Sequence, residues 1–164
     1  MKALKIKGAI DTPEVFFDPE KRIFSISGIS HPENAKEFYL SIIDWLDEYY
    51  EELMDGDGVK ITVDINFKYI NSSSYKYLRE VMKRISNFQS KGVDIEVIWN
   101  YHQEDEDLLN EGMVLFELPD INLNYRCVPY SWSTLILSFF FLDLSDRYYL
   151  FSATFVPQLF TTNC

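Results

Sequence analysis

Apolar residues along this chain follow two alternating rhythms, one of period two and one of three to four. The period-two stretches come first: "LKIKG" at 4–8, "EVFFD" at 14–18 and "RIFSISG" at 22–28 read as short strands. Asp18-Pro19-Glu20-Lys21 supplies turn chemistry between the last two and predicts a hairpin. In "SHPENAKEFYLSIIDWLDEYYEELM", residues 30–54, the rhythm changes. Phe38, Ile42, Trp45, Leu46, Tyr49 and Leu53 recur at helical spacing with acids on the opposite face. Pro32 favours a helix that starts just after Ser30 or His31, since proline suits the first turn.

"DGDG" at 55–58 is read as the end of that helix, because glycine and aspartate tolerate left-handed backbone. It is not a calcium loop: Val59 and Lys60 break the required alternation of oxygen donors. "VKITVDINFKYI" alternates Ile61, Val63, Ile65 and Phe67 and is the strongest strand signal. Leu78, Val81, Met82, Ile85 and Phe88 then mark a second amphipathic helix, closed at Lys91-Gly92. "VDIEVIWN" reads as another strand and "HQEDEDLLNEGMVLFE" as a third helix whose acids lie early, where the helix dipole favours them. The order of hairpin, helix, strand, helix, strand, helix predicts an α/β fold: a mixed sheet with parallel pairing in its later part, packed against two to three amphipathic helices.

Composition narrows the function classes. At 164 residues, with 47% apolar and 16% aromatic content, the chain has material for one ordinary core. The formal charge of −11 argues against nucleic acid and anionic membranes as partners, since phosphate binding needs a concentrated basic face. A protein or a small molecule is the expected partner. No stretch near the N-terminus is apolar enough for a signal peptide, and Asp143, Asp146 and Arg147 interrupt the most apolar later segment, so the protein is read as cytoplasmic. Cys127 and Cys164 offer neither a disulfide framework nor metal-ligand spacing.

The charge is unevenly distributed, which divides the chain. Residues 121–164 contain two acids and two arginines, so the whole −11 belongs to residues 1–120. The last 44 residues have no Lys and no Glu yet hold 11 of the 27 aromatics. We therefore read 1–120 as the main domain and 121–164 as an atypical aromatic-rich tail, either an added packing or contact segment or a non-native extension. Its "LILSFFFL" run has the composition of an aggregation-prone strand.

The catalytic inventory is thin. There is no nucleophile elbow, no phosphate-cradling glycine loop and no zinc-protease helix, and the paired acids of "DEYYEEL" and "EDED" read as solvated helix faces. His31 and His102 each stand next to an expected helix start, the place of a cap or surface residue. No catalytic residue, metal ligand or cofactor site is assigned.

Three serines at 72–74 are different. A strong strand ends at Ile70, Asn71 is an Asx-turn former, and a helix begins at once, which gathers hydroxyls around free backbone N–H groups. A phosphoryl group, adding about −1.5 to −2 charge, meets donors and a positive dipole end there. Spacing alone favours plain capping, for which serine is a common residue; a phosphorylation switch remains the alternative. Tyr69, Tyr75 and Tyr77 flank the serines as contact or core residues.

Taken together, "SGISHPENAKEFY", the helix carrying Trp45, "VDINFKYINSSSYKYLREVM" and "IEVIWNYHQEDEDLLNEG" resemble the SiaC family of bacterial regulatory phosphoproteins, from about Ile6 to Gly112. The most specific pieces are Pro32-Glu33-Asn34, Asn71-Ser72-Ser73-Ser74, and Trp99-x-Tyr101 followed by Glu104 to Asp107. The resemblance implies a fold similar to the anti-sigma-factor-antagonist (STAS) domain. It implies phosphorylation of Ser72 by a partner serine/threonine kinase, with Ser73 and Ser74 as alternative acceptors, and dephosphorylation by a PP2C-type phosphatase. It further implies a non-enzymatic switch whose unphosphorylated form binds and activates a diguanylate cyclase in cyclic-di-GMP and biofilm signalling; by their position beside the serines, Asn71, Tyr69 and Tyr75 are read as switch-flanking or partner-contact residues. The family pattern does not extend over 121–164. Two other readings compete: an anti-sigma-factor antagonist acting on transcription, and a small-ligand sensor, for which a convergent pocket lined by His or acids is the discriminating feature and is not expected.

Overall fold

The computed structural model describes residues 1–53 and 58–131. Six strands form one sheet in the sequential order β1-β2-β3-β4-β5-β6. They are β1 (Leu4–Ile6), β2 (Glu14–Asp18), β3 (Ile23–Ser30), β4 (Lys60–Ile70), β5 (Asp94–His102) and β6 (Asn124–Tyr130). The first three pair antiparallel, with Asp18 opposite Ile23 across the expected hairpin; Asp18 Oδ1 accepts from the amides of Glu20 and Lys21 to shape the turn. From β3 onward all pairs are parallel, so each connection is a crossover helix: α1 (Ala35–Glu52), α2 (Ser72–Asn87) and α3 (Glu106–Phe116). Right-handed crossovers between successive neighbours place these helices on one face of the sheet. The mixed α/β architecture expected from the pattern is the one observed.

Alternation decides which side chains meet the helices. Ile61, Val63, Ile65 and Phe67 of β4 are fully buried, as are Ile95, Val97 and Trp99 of β5, whereas Thr62, Asp64 and Asn66 point the other way. On α1 the buried set is Ala35, Tyr39, Ile42, Ile43, Trp45, Leu46 and Tyr49. Phe17 stacks on Phe24 at 4.7 Å between ring centroids, and Trp45 meets both rings edge-on. Each such large side chain contributes about 1.5–3 kcal/mol by leaving water.

Three local features differ from the expectation. The first helix starts at Ala35 and not directly after His31: β3 runs on to Ser30, and Asn34 is the cap because its Oδ1 accepts the Glu37 amide at 3.2 Å. α2 ends at Asn87 and tightens into a 3-10 turn over Phe88–Lys91 before Gly92, at φ 79°, reverses the chain. And β6 extends the sheet past residue 120, with Pro129 tolerated because this is the edge strand among the described residues. The rest of the aromatic-rich tail, residues 132–164, and residues 54–57 of the expected Asp-Gly stop lie outside the described residues.

Candidate functional site

Parallel strands β3, β4 and β5 end at Ser30, Ile70 and His102, side by side along one edge of the sheet. Each is followed by a helix whose N-cap carboxyl or amide side chain accepts the amide three residues on. Asn34 takes Glu37 N–H, Asn71 takes Ser74 N–H at 2.7 Å, and Asp105 takes Leu108 N–H at 2.9 Å. All three helix N-termini, with their free donors and positive dipole ends, therefore open on the carboxyl edge of the parallel strands. The motif pieces at 32–34, 71–74 and 99–107, separated in sequence, are neighbours along that edge.

A β-bulge shapes the middle of the edge. Phe67 lies opposite Gly28 but Tyr69 lies opposite Ile29, so Lys68 is an extra residue in β4. Gly28 sits at φ 102°, a conformation that strains any residue with a Cβ. The bulge shifts the alternation by one: Ile70 is buried, while Tyr69 is 53% exposed and Lys68 faces solvent. Tyr69 is packed edge-on against His31, 6.2 Å between ring centroids, which joins the α1 and α2 starts on the outer surface.

The three serines are separated by helix phase. Ser72 and Ser73 are exposed, and their amides have no hydrogen-bond partner among the described residues; Ser74 is fully buried. Inside, the Ser30 hydroxyl and the Tyr39 phenol are 2.7 Å apart, and the Asn71 amide donates to Ser30 O at 3.0 Å. Burial pushes the Tyr39 pKa up to about 12 against the opposing influence of the Ser30 and Ser74 hydroxyls. Ser74 Oγ is enclosed and has no hydrogen-bond partner among the described residues.

Of the flanking tyrosines, Tyr69 remains a surface residue. Tyr75 is half-buried and donates its hydroxyl to Glu111 O at 2.9 Å, tying the first turn of α2 to α3. Tyr77 is partly buried, its ring parallel to that of Tyr39. Sequence reasoning passed over Ser30 and Tyr39. The available signal was phase: Tyr39 lies on the same stripe as Ile42, Ile43 and Leu46, and Ser74 falls four residues before Leu78 on the apolar face of α2.

A crevice of about 620 Å³ opens at the same edge between Phe67, Lys68, His102, Tyr130 and residues 104–108. Its lining includes one histidine and several acids, the residue types named above as the mark of a ligand sensor. Its acids do not converge on a point: among the described residues no group of three His, Cys, Asp or Glu side chains is placed to hold a metal ion. Asp105 is already engaged in capping α3. Among the described residues no helix is long and apolar enough to cross a membrane.

Most of the described chain is similar to known proteins. The sequence model of the SiaC family regulatory phosphoproteins matches residues 6–126. An uncharacterized protein of Pseudomonas aeruginosa strain UCBPP-PA14 is 28% identical over 106 residues, 65% of this chain and 81% of that protein. Among solved structures, apo-SiaC from Pseudomonas aeruginosa superposes with a TM-score of 0.67 at 22% identity, covering 77% of this chain and 98% of that one. SiaC in the crystal structure of the diguanylate cyclase SiaD in complex with its activator SiaC, from the same organism, gives 0.68 at 22% identity, covering 77% and 99%. At these identities the structural likeness is one of fold.

Proposed function

The chain belongs to the SiaC family of regulatory phosphoproteins, and from that premise we propose that it is a non-enzymatic cytoplasmic switch, reversibly phosphorylated on Ser72, whose state controls a diguanylate cyclase. The observation that carries the reading is the position of Ser72: exposed, at the first residue of α2, on an edge where three helix N-termini meet. A kinase transfers the γ-phosphoryl group of ATP to Ser72 Oγ; the bond to ADP breaks and the hydroxyl proton passes to the kinase's base. The product phosphate stands at a helix N-terminus that has no acidic residue in its first turn, so the fold tolerates it. The change falls on the surface beside Tyr69 and His31. A partner seated there without a basic group for the phosphate meets a desolvation cost of several kcal/mol, enough to release it.

The test is intact-mass and peptide mass spectrometry after incubation with ATP and the kinase encoded nearest to the gene, on wild type and Ser72→Ala. One phosphate that maps to Ser72 and vanishes in the variant supports the switch. No phosphate, or one that survives the substitution, removes it. Cyclase stimulation by the unmodified but not the phosphorylated protein then identifies the output. A ligand-sensor role rests on the crevice beside His102 and Lys68; a thermal-shift screen of anionic and cationic metabolites that returns no binder excludes it.

A further inference from the structure

The cations of α2 are Lys76, Arg79, Lys83 and Arg84, and all but the first are committed to acids elsewhere in the fold. Arg79 and Lys83 reach Asp120 at 3.0 and 3.3 Å, and Arg84 reaches Asp47 of α1 at 2.8 Å. Lys76 is exposed and is in no ion pair among the described residues. What distinguishes this lysine is where it stands on the helix. At about 100° of rotation per residue, it lies roughly 40° from Ser72 on one side and roughly 60° from Ser73 on the other. Both serines are exposed, so Lys76 sits one turn beyond them on the same solvent-facing surface.

The neighbouring charges favour Lys76 as the partner of an anion on these serines. An anion four residues before a lysine is the favourable order for a helical ion pair, and a spacing of three also brings the side chains together. Glu80, the one acid of α2, comes four residues after Lys76, which is the less favourable order, and is not paired with it. Asp107 and Glu111 of α3 line a groove with Tyr75, so a phosphate on the first turn of α2 is opposed from that side and its counter-charge comes from α2 itself. Lys68, exposed at the bulge, lines the crevice beside residues 104–107 and faces those acids. Resting on the reading of the serine junction as the phosphorylation site, we infer that Lys76 is the cation that binds the phosphoryl group and folds it back against the first turn of α2, whether the group stands on Ser72 or on Ser73. Phosphorylation then changes the surface twice: it adds a dianion and takes up the cation that the unmodified protein shows to a partner.

The helix N-terminus attracts the same group, and a double-mutant cycle separates the two contributions. Full-length protein with phosphoserine introduced during translation at position 72, or at 73, is melted beside unmodified protein, each with Lys76 retained, with Lys76→Gln and with Lys76→Arg. With Lys76 present, the phosphate should raise the melting temperature by about 2–4 °C at low salt. Lys76→Gln should at least halve that rise, and Lys76→Arg should keep it. Lys68→Gln is the control and should leave the rise intact. An equal shift with and without Lys76→Gln, of either sign, overturns the inference, as does an equal loss in Lys68→Gln, which would show a general charge effect. Because translation places the phosphate, the cycle does not depend on the kinase. No coupling to Lys76, with kinase-made phosphate found on Ser72 or Ser73, sinks the lysine's role and leaves the switch standing. Kinase-made phosphate absent from both serines refutes the switch and, with it, this role of Lys76.

Discussion

Gly112 of α3 lies directly against the indole of Trp99: a Cβ on Gly112 would come within 2.6 Å of Trp99 Nε1. That nitrogen donates to Leu108 O at 3.0 Å, so the indole is held by the helix it supports and cannot move aside without losing its bond. Gly112→Ala is therefore expected to destabilise by about 1–3 kcal/mol through overpacking, despite alanine's better helix propensity. Urea denaturation followed by Trp fluorescence measures it, and a stabilised variant would contradict the contact.

Asn71 closes the first turn of α2, with its Oδ1 2.7 Å from the Ser74 amide. Asn71→Ala should cost about 0.5–2 kcal/mol, and Asn71→Asp should restore most of it, since aspartate caps equally well. Equal losses for both in chemical denaturation would mean that the amide nitrogen, and not the oxygen, is what matters at this position.

Negative charge at the start of α2 should stabilise. Ser72 is exposed and no acid stands in the first turn, so Ser72→Asp should raise stability by about 0.3–1 kcal/mol at low salt. The gain should fade as ionic strength approaches 1 M, where the screening length falls to about 3 Å. Thermal melts at two salt concentrations check both parts; a loss at low salt would place an unseen anion nearby.

The Tyr39 phenol, held up to about 12 by burial, predicts an alkaline transition. An unfolded tyrosine releases its proton near 10 while the folded one retains it, so between those values the folded state binds more protons. Stability is then complete below pH 10 and falls as pH rises toward 12, by roughly 2–3 kcal/mol for a shift of this size. Tyr39→Phe should remove this part of the slope from denaturation measured at pH 9 to 12, and an unchanged slope would show that other tyrosines carry it.

Periodicity was enough for β1 through β5 and the three helices because each presents a regular apolar stripe: Ile61 to Phe67 at period two, Leu78 to Phe88 at helical spacing. It failed where local and tertiary demands part. Pro32 is a sound helix-start signal, but continued pairing of β3 with β4 through Ser30 delays the helix until Asn34 can cap it. "NYRCVPY" has no strong alternation, and its strand is visible only in its parallel pairing with β5.

Sequence alone therefore determined β1 to β5 and the three helices, the α/β class and the serine junction, since propensity, capping and amphipathic phase act over a few residues. Only the tertiary structure decided that residues 32–34, 71–74 and 99–107 share one edge, and that three adjacent serines differ: two face solvent, and Ser74 is enclosed beside Tyr39. The reason is that strand register and helix rotation are set by the whole buried surface at once, through contacts between residues far apart in the chain.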